Sequence, residues 1–239
     1  MKSKSKNIVV TGGSGRFGKV FQKNVRKNYL FPSTKELNIL KLNSVFKYLK
    51  KKKPKYLIHM AGLSRPMSIH EKNIEKSIQL NIIGTANIVI ACSKFNIKVI
   101  YFSTSYIYPG TKGNYKETDS LLPSNNYSWS KLGGESAVQM YKNSLILRVS
   151  MTEKPFVHKK AFADMYTNFI FHEEFIAILK KVIHKKGIFN IGGESSSVFN
   201  FAKKYNKKIK KIFLRNKNYL KLPLNSSMNL KKINKIINQ

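Results

Sequence analysis

In the stretch YSWSKLGGE, Tyr127 stands four positions before Lys131. A phenol titrates at about pH 10, so it passes protons near neutrality only beside a cation that stabilises the phenolate. Residues four apart share one face of a helix, and a lysine there would supply that cation. Upstream, the apolar run KVIYF ends in Ser103, Thr104 and Ser105. Hydroxyls at the carboxyl end of a parallel strand face the crevice where ligands bind in open α/β sheets. The plainer alternatives are an amphipathic turn in a lysine-rich chain and hydroxyls that cap a turn.

A second group able to do chemistry is TGGSGRFG, with Gly12, Gly15 and Gly18, placed after the apolar run NIVV and before a helical pattern. Such a loop gives a tight turn, lets a diphosphate approach the backbone, and presents the free N–H groups and dipole of a helix start. The spacing is GxxGxxG, not GxGxxG. Ser14, Arg16 and Phe17 fall inside it. About 20 residues on, where an acidic residue would hold the ribose hydroxyl of NAD, the chain reads Phe31, Pro32, Ser33, Thr34, Lys35, with Glu36 late. That favours NADP over NAD, with Arg16, Ser33, Thr34 and Lys35 facing the extra phosphate.

The elements that must position these groups alternate. NIVV, YLIHMAG, KVIYFSTS, SLILRVS (144–150) and GIFNIGG (187–193) read as buried strands, and helical patterns separate them, including stretches near 127–142 and 172–185. Alternation of this kind predicts βαβ units and a parallel sheet. The expected fold is α/β, a Rossmann-type doubly wound parallel sheet. Its dinucleotide-binding domain is expected over 1–150, rejoined by about 168–195. A small, shortened C-terminal substrate lobe with a basic tail is expected over 151–239. The run from Lys50 to Lys55, broken by Pro54, is expected to close a helix.

Composition narrows the partners. With 45 basic against 11 acidic residues, the formal net charge is +34. The lysines recur in every segment beside Asn and Ile rather than gathering with aromatics, so no specific nucleic acid is expected, although a basic field attracts phosphate-bearing ligands of any kind. Cys92 is the sole cysteine, which excludes an internal disulfide and suits a reducing cytoplasm. The start passes directly into the glycine turn, so no secretory leader is expected, and no apolar run reaches the length of a membrane span. His59, His70, His158, His172 and His184 lack Cys or carboxylate partners at ligand spacing; no metal is expected, and His59 reads as a core histidine.

Taken together, TGGSGRFG, the HMAG of His59 to Gly62, the NIIGT from Asn81, the strand ending in Ser103 and Thr104, Tyr127 with Lys131, ILRVS and GIFNIGG resemble the extended short-chain dehydrogenase/reductase family. That family comprises nucleotide-sugar epimerases, dehydratases and reductases, and the likeness covers at least residues 7 to 195. It implies an NAD(P)-dependent oxidoreductase. By position, Tyr127 would exchange the proton at the reacting oxygen, Lys131 would lower its pKa and touch the nicotinamide ribose, and Thr104 would hydrogen-bond that oxygen. Gly12, Ser14, Gly15, Arg16, Phe17, Gly18, Met60, Ala61, Gly62, Asn81 and Ser103 would line or frame the cofactor.

Dehydratases of the family carry Thr-Asp-Glu where this chain has Thr104, Ser105 and Tyr106, so the carboxylates for eliminating water are missing. The STSYIY segment and Glu36-Leu37-Asn38-Ile39 are similar to the reductase branch typified by dTDP-4-dehydrorhamnose reductase. The resemblance therefore implies reduction of a 4-keto nucleotide sugar by NADPH or NADH. Ser105, Tyr106, Arg65 and Arg148 are the expected substrate contacts, and a homodimer is left open. An epimerase, or a non-catalytic dinucleotide-binding regulator with a reduced lobe, are the alternatives.

Overall fold

The apolar runs fold as strands buried on both faces and the periodic segments fold as helices, in the computed structural model of the chain, which describes residues 7–26, 28–215 and 221–238. From the start come β1 (Ile8–Thr11), α1 (Arg16–Lys23), β2 (Tyr29–Leu30), α2 (Leu42–Lys52) and β3 (Tyr56–His59). The short helices α3 (Ser68–Lys72) and α4 (Ile74–Ile78) then run through a π-helical turn, Gln79–Ile83, into α5 (Gly84–Lys94), followed by β4 (Lys98–Thr104). α6 (Asn126–Gln139) and β5 (Ser144–Val149) precede four short strands: β6 (Met151–Thr152), β7 (Lys160–Phe162), β8 (Tyr166–Thr167) and β9 (Ile170–Phe171). The chain continues with α7 (His172–Val182), β10 (Gly187–Ile191), β11 (Ser196–Ser197), α8 (Val198–Tyr205), β12 (Lys210–Ile212) and α9 (Lys231–Ile237).

The central sheet has six strands in the order β2-β1-β3-β4-β5-β10. Pairing is parallel from β2 through β4, with Val9 opposite Leu30 on one side and Leu57 on the other. The expected doubly wound α/β sheet is borne out. Its order reverses between β1 and β3, the topological switch point outside which ligands of such sheets bind. No further edge strand follows β2 among the described residues. Leu37 and Ile39 are buried, and the Ile39 carbonyl accepts from Asn87 Nδ2 at 2.8 Å, so this segment packs on α5 instead of extending the sheet.

The described residues group into two compact units. One lies within Met1–Ser103, Ser130–Ile146 and Ile183–Gly187, the other within Thr104–Trp129, Leu147–Val182 and Ile188–Gln239. In the first, Val9, Val10, Leu57, Ile58, Val99 and Ile100 form a fully buried strand core. The lysine run closes α2 as expected: Lys53 takes the left-handed conformation at φ 45° and its N–H returns to the Leu49 carbonyl. In the second, Phe156, Met165, Phe171, Phe201 and Leu214 belong to a core that mixes aromatic rings with aliphatic side chains. Phe171 meets Tyr205 edge-on at 4.7 Å and Phe201 at 5.3 Å. No helix among the described residues is long and apolar enough to cross a membrane.

Candidate active site

The glycine loop owes its shape to contacts that a side chain would prevent. Gly12 has φ +79°, and a Cβ there would come within 2.6 Å of the Ala61 nitrogen. Its loop therefore lies directly against the Met60–Ala61 backbone after β3. Gly18 faces back on the same turn, where a Cβ would meet the carbonyl oxygens of Gly12 and Gly13. The Gly15 N–H returns to the Gly12 carbonyl at 3.1 Å, and Gly15 begins α1 with neither a side-chain cap nor an acidic residue in the first turn. Ser14, Gly15 and Arg16 are exposed, and Phe17 packs on Phe21 and Phe102. An uncapped helix start behind a glycine turn fits a dinucleotide diphosphate.

At the end of β2, the Glu36 carboxylate accepts from both the N–H and the hydroxyl of Ser33, at 2.8 and 2.9 Å. These bonds hold Glu36 below the usual carboxylate range. Thr34 and Lys35 are exposed beside it.

Under the loop, a buried polar chain sets the ends of β1 and β3. The Ala61 N–H donates to Thr11 Oγ1 at 3.3 Å, leaving the Thr11 proton for His59 Nδ1 at 2.8 Å. Thr85 Oγ1 donates to the Asn81 carbonyl at 2.7 Å and so accepts from His59 Nε2 at 3.1 Å. This bonding assigns a neutral His59 with its proton on Nε2, and burial, reinforced by Lys131, draws its pKa to about 3. His59 is the core histidine that its strand position implies.

Asn81 sits in the π-helical turn and works as a bracket. Its carboxamide accepts from Leu63 N at 2.7 Å and donates to the Leu63 carbonyl at 2.9 Å and to Ser130 Oγ at 2.8 Å. Gly62 is needed for this approach, since a Cβ would fall 2.7 Å from Asn81 Oδ1. On the other side, α6 comes close because of paired glycines: a Cβ on Gly134 would lie 2.4 Å from the Asn81 carbonyl, and one on Gly133 would strike Ile82.

Tyr127 and Lys131 lie on α6, one turn apart. The helix is started by Asn125, whose Oδ1 accepts from Ser128 N at 3.0 Å while its own N–H donates to Ser128 Oγ at 3.4 Å, a reciprocal cap. Tyr127 is half-buried, and its ring meets that of Tyr106 edge-on at 6.4 Å. Burial pulls the Lys131 ammonium down to about 7, against the Glu135 carboxylate one turn on. The residue as a whole is half-buried, so crowding around the ammonium, not complete removal from water, accounts for the shift.

The hydroxyl-bearing strand end divides by role. Ser103 Oγ is buried and has no hydrogen-bond partner among the described residues. Thr104 Oγ1 accepts from Tyr106 N at 3.3 Å, shaping the turn that follows. Ser105 is 1% exposed and faces Ser226, which continues through Thr167 to Ser150. Arg148 is 2% exposed; its Nη1 donates to the Tyr108 hydroxyl at 2.8 Å and to the Glu117 carbonyl at 2.9 Å. Both side chains thus sit inside buried polar networks of the second unit. Arg65 is exposed, before a cis-proline.

Several residues that shape the site went unread in the sequence: Thr11, Thr85, Tyr101, Ser130 and the pair Gly133–Gly134. The glycine pair carried a legible signal, because two adjacent glycines within a helical pattern cost helix stability and imply close packing. Single threonines and a strand tyrosine carry no comparable mark.

A family model described as RmlD substrate binding domain matches residues 6–180. Methionine adenosyltransferase 2 subunit beta of Pongo abelii is 28% identical over 144 residues, covering 56% of this chain and 43% of that protein. The dTDP-4-dehydrorhamnose reductase of Aggregatibacter actinomycetemcomitans is 30% identical over 151 residues, covering 61% of this chain and 51% of that one. The chain spans about half the length of the curated relatives it matches. A crystal structure of dTDP-4-dehydrorhamnose reductase from Bacillus anthracis str. Ames, in complex with NADP, shares the fold with a TM-score of 0.86 at 21% identity, covering 98% of this chain and 93% of that one. With the family match extending from before β1 to within α7, the chain belongs to the RmlD substrate binding domain family.

Proposed function

We propose that this protein is an NAD(P)H-dependent reductase of a 4-keto nucleotide sugar. The observation that carries the reading is the placement of Tyr127 and Lys131 one turn apart on a capped helix, in a chain whose glycine loop is shaped for a dinucleotide. The relatives named as dTDP-4-dehydrorhamnose reductases supply the substrate class.

Gly12, Ser14, Gly15, Arg16, Phe17 and Gly18 would hold the diphosphate end, with Met60, Ala61, Gly62 and Ser103 along the cofactor and Asn81 as the bracket behind them. NADP is favoured, because Glu36 is engaged by Ser33 while Arg16 and Lys35 are exposed cations. When bound, the nicotinamide supplies a hydride to the carbonyl carbon. Tyr127 Oη gives its proton to the oxygen that becomes the alcohol, Thr104 Oγ1 hydrogen-bonds that oxygen, and Lys131 stabilises the phenolate left behind. Tyr106, Ser105, Arg65 and Arg148 complete the substrate side, Ser105 and Arg148 from within their buried networks.

The reading extends to a cytoplasmic homodimer. Cys92 is fully buried, with its thiol pushed far up by burial, as suits a reduced chain. Ile74, Ile78, Ile83 and Ile90 are exposed along α4, the π-helical turn and α5, an apolar stripe that a second copy would cover. Light scattering of the purified chain against Ile78→Glu would expose a monomer if the stripe is not an interface.

A second reading, a non-catalytic dinucleotide-binding subunit, draws on the relative named as a subunit of methionine adenosyltransferase 2. One assay separates the two: NADPH and NADH oxidation against a panel of nucleotide 4-keto sugars, with product stereochemistry. Turnover with a reduced product supports the reductase; an inverted product without net oxidation would make it an epimerase. NADPH binding without turnover of any panel member would favour the subunit.

A further inference from the structure

The ammonium of Lys131 lies 4.2 Å from the centroid of the Tyr101 ring. The Tyr101 hydroxyl donates to the Lys131 backbone carbonyl at 3.1 Å. One side chain thus grips another residue by both its charged head and its main chain. Gly134 makes this reach available, since a Cβ there would stand 2.7 Å from the Tyr101 hydroxyl oxygen.

The platform under the ammonium is rigid and uncharged. Tyr101 is 1% exposed in β4, and its ring stacks on His59 with centroids 6.0 Å apart and planes 28° apart. His59 is in turn tied at both nitrogens, by Thr11 and Thr85. The face of an aromatic ring is its negative side, and a cation held over it is favoured in its charged form.

We propose that Tyr101 is the positioning residue for Lys131: its ring face keeps the ammonium charged and fixed on α6, one turn from Tyr127. The inference rests on the reading of Lys131 as the cation that acidifies Tyr127. The titratable and charged groups around Lys131 include Tyr127 and Glu135 on its own helix, Tyr101 on β4 and His59 on β3. Glu135 favours the ammonium, neutral His59 does not oppose it, and burial works against it. Because burial brings Lys131 to about 7, ammonium and amine are comparably populated near neutral pH, and a modest loss of attraction shifts the balance toward the amine.

The test is competitive acylation of the full-length protein across pH, with Lys131 quantified by peptide mass spectrometry, beside the pH profile of kcat/KM for NADPH-dependent reduction. Tyr101→Phe keeps the ring and should leave the Lys131 midpoint within about 0.2 pH unit, whereas Tyr101→Leu should lower it by about half to one unit, a 3- to 10-fold loss in proton affinity. Pentafluorophenylalanine at position 101 keeps the ring's shape and reverses its charge distribution; it should act like Leu and covers the case in which Leu does not fold. The alkaline limb of kcat/KM should move by the same amount. An unchanged labelling midpoint with the fluorinated ring would overturn the proposal. A midpoint that moves while the limb stays still would uphold the hold of Tyr101 on Lys131 and sink the catalytic reading of Lys131 instead.

Discussion

Both units bury polar networks that join distant stretches of chain, and they differ in how plainly each member is marked in the sequence. In the first, buried hydroxyls, an imidazole and a carboxamide come from short motifs at strand ends and helix starts: Thr11 before the glycine loop, His59 before Gly62, and Asn81 and Thr85 one turn apart. Glycines let the backbones close around them. In the second, Arg148 is buried among Tyr108, Glu117 and Asn190, and Asn190 also donates to the Tyr115 carbonyl, so one network draws on β5, β10 and the stretch before α6. The members of the first network stand in motifs that can be read singly, although their partners lie 26 to 49 residues away. A network assembled from distant stretches fails as a whole when one member leaves.

Tyr127→Phe gives the sharpest contrast. The variant keeps the ring and its edge-on contact with Tyr106, so stability should hardly change, while turnover should fall by about 10² to 10⁴. Stopped-flow reduction with NADPH binding measured separately checks it; undiminished turnover would remove Tyr127 from the chemistry.

Arg148→Met should do the reverse. Removing the guanidinium takes one donor from the Tyr108 hydroxyl, which keeps its bond to Asn190, and one from the Glu117 carbonyl in the interior, a loss of about 2 to 4 kcal/mol from buried acceptors left short of donors. Thermal unfolding should drop by on the order of 10 °C. A loss below about 1 kcal/mol would mean that the network does not hold the second unit together.

His59→Gln probes the first unit through pH. The folded pKa of about 3 lies below the ordinary 6.5, so between those values the unfolded chain binds the additional proton and stability declines as pH falls. From pH 7 to pH 4 the wild type should lose roughly 3 kcal/mol on this account. The variant should lose less over the same range, by about that amount, in urea midpoints taken at each pH. Parallel slopes would show that His59 is not a buried neutral group.

The same contrast decides what was legible in the sequence. Five of the six sheet strands, the glycine loop and the start of α6 follow from periodicity and local chemistry, which is where the expectations and the fold agree. Leu37 and Ile39 are buried after β2 without extending the sheet, because the segment packs on α5, where the Ile39 carbonyl takes the Asn87 bond. Ser105 and Arg148 are expected to contact substrate, and the sequence does not disclose how deeply they are buried. Their burial depends on Ser226 and Asn190, which are far along the chain and bear no periodic relation to them. Tyr101 is similar: only β3, β4 and α6 brought together reveal what its ring lies between.

The smallest effect comes at the start of α6. Asn125 is 7% exposed, caps Ser128 through Oδ1, and donates through Nδ2 to the Lys221 carbonyl at 3.1 Å. Asn125→Ala removes both bonds and should cost about 1 kcal/mol, a fall of roughly 2 to 4 °C in melting temperature. Asn125→Asp keeps the cap and adds a favourable negative charge at the helix start while losing the amide donor, so it divides the two contributions. If the cap dominates, Asp should recover most of what Ala loses, and the orientation of the first turn, with Tyr127 in it, is a local property of the helix. If Asp behaves like Ala, the bond to Lys221 sets that turn, and the start of α6 depends on a long-range contact.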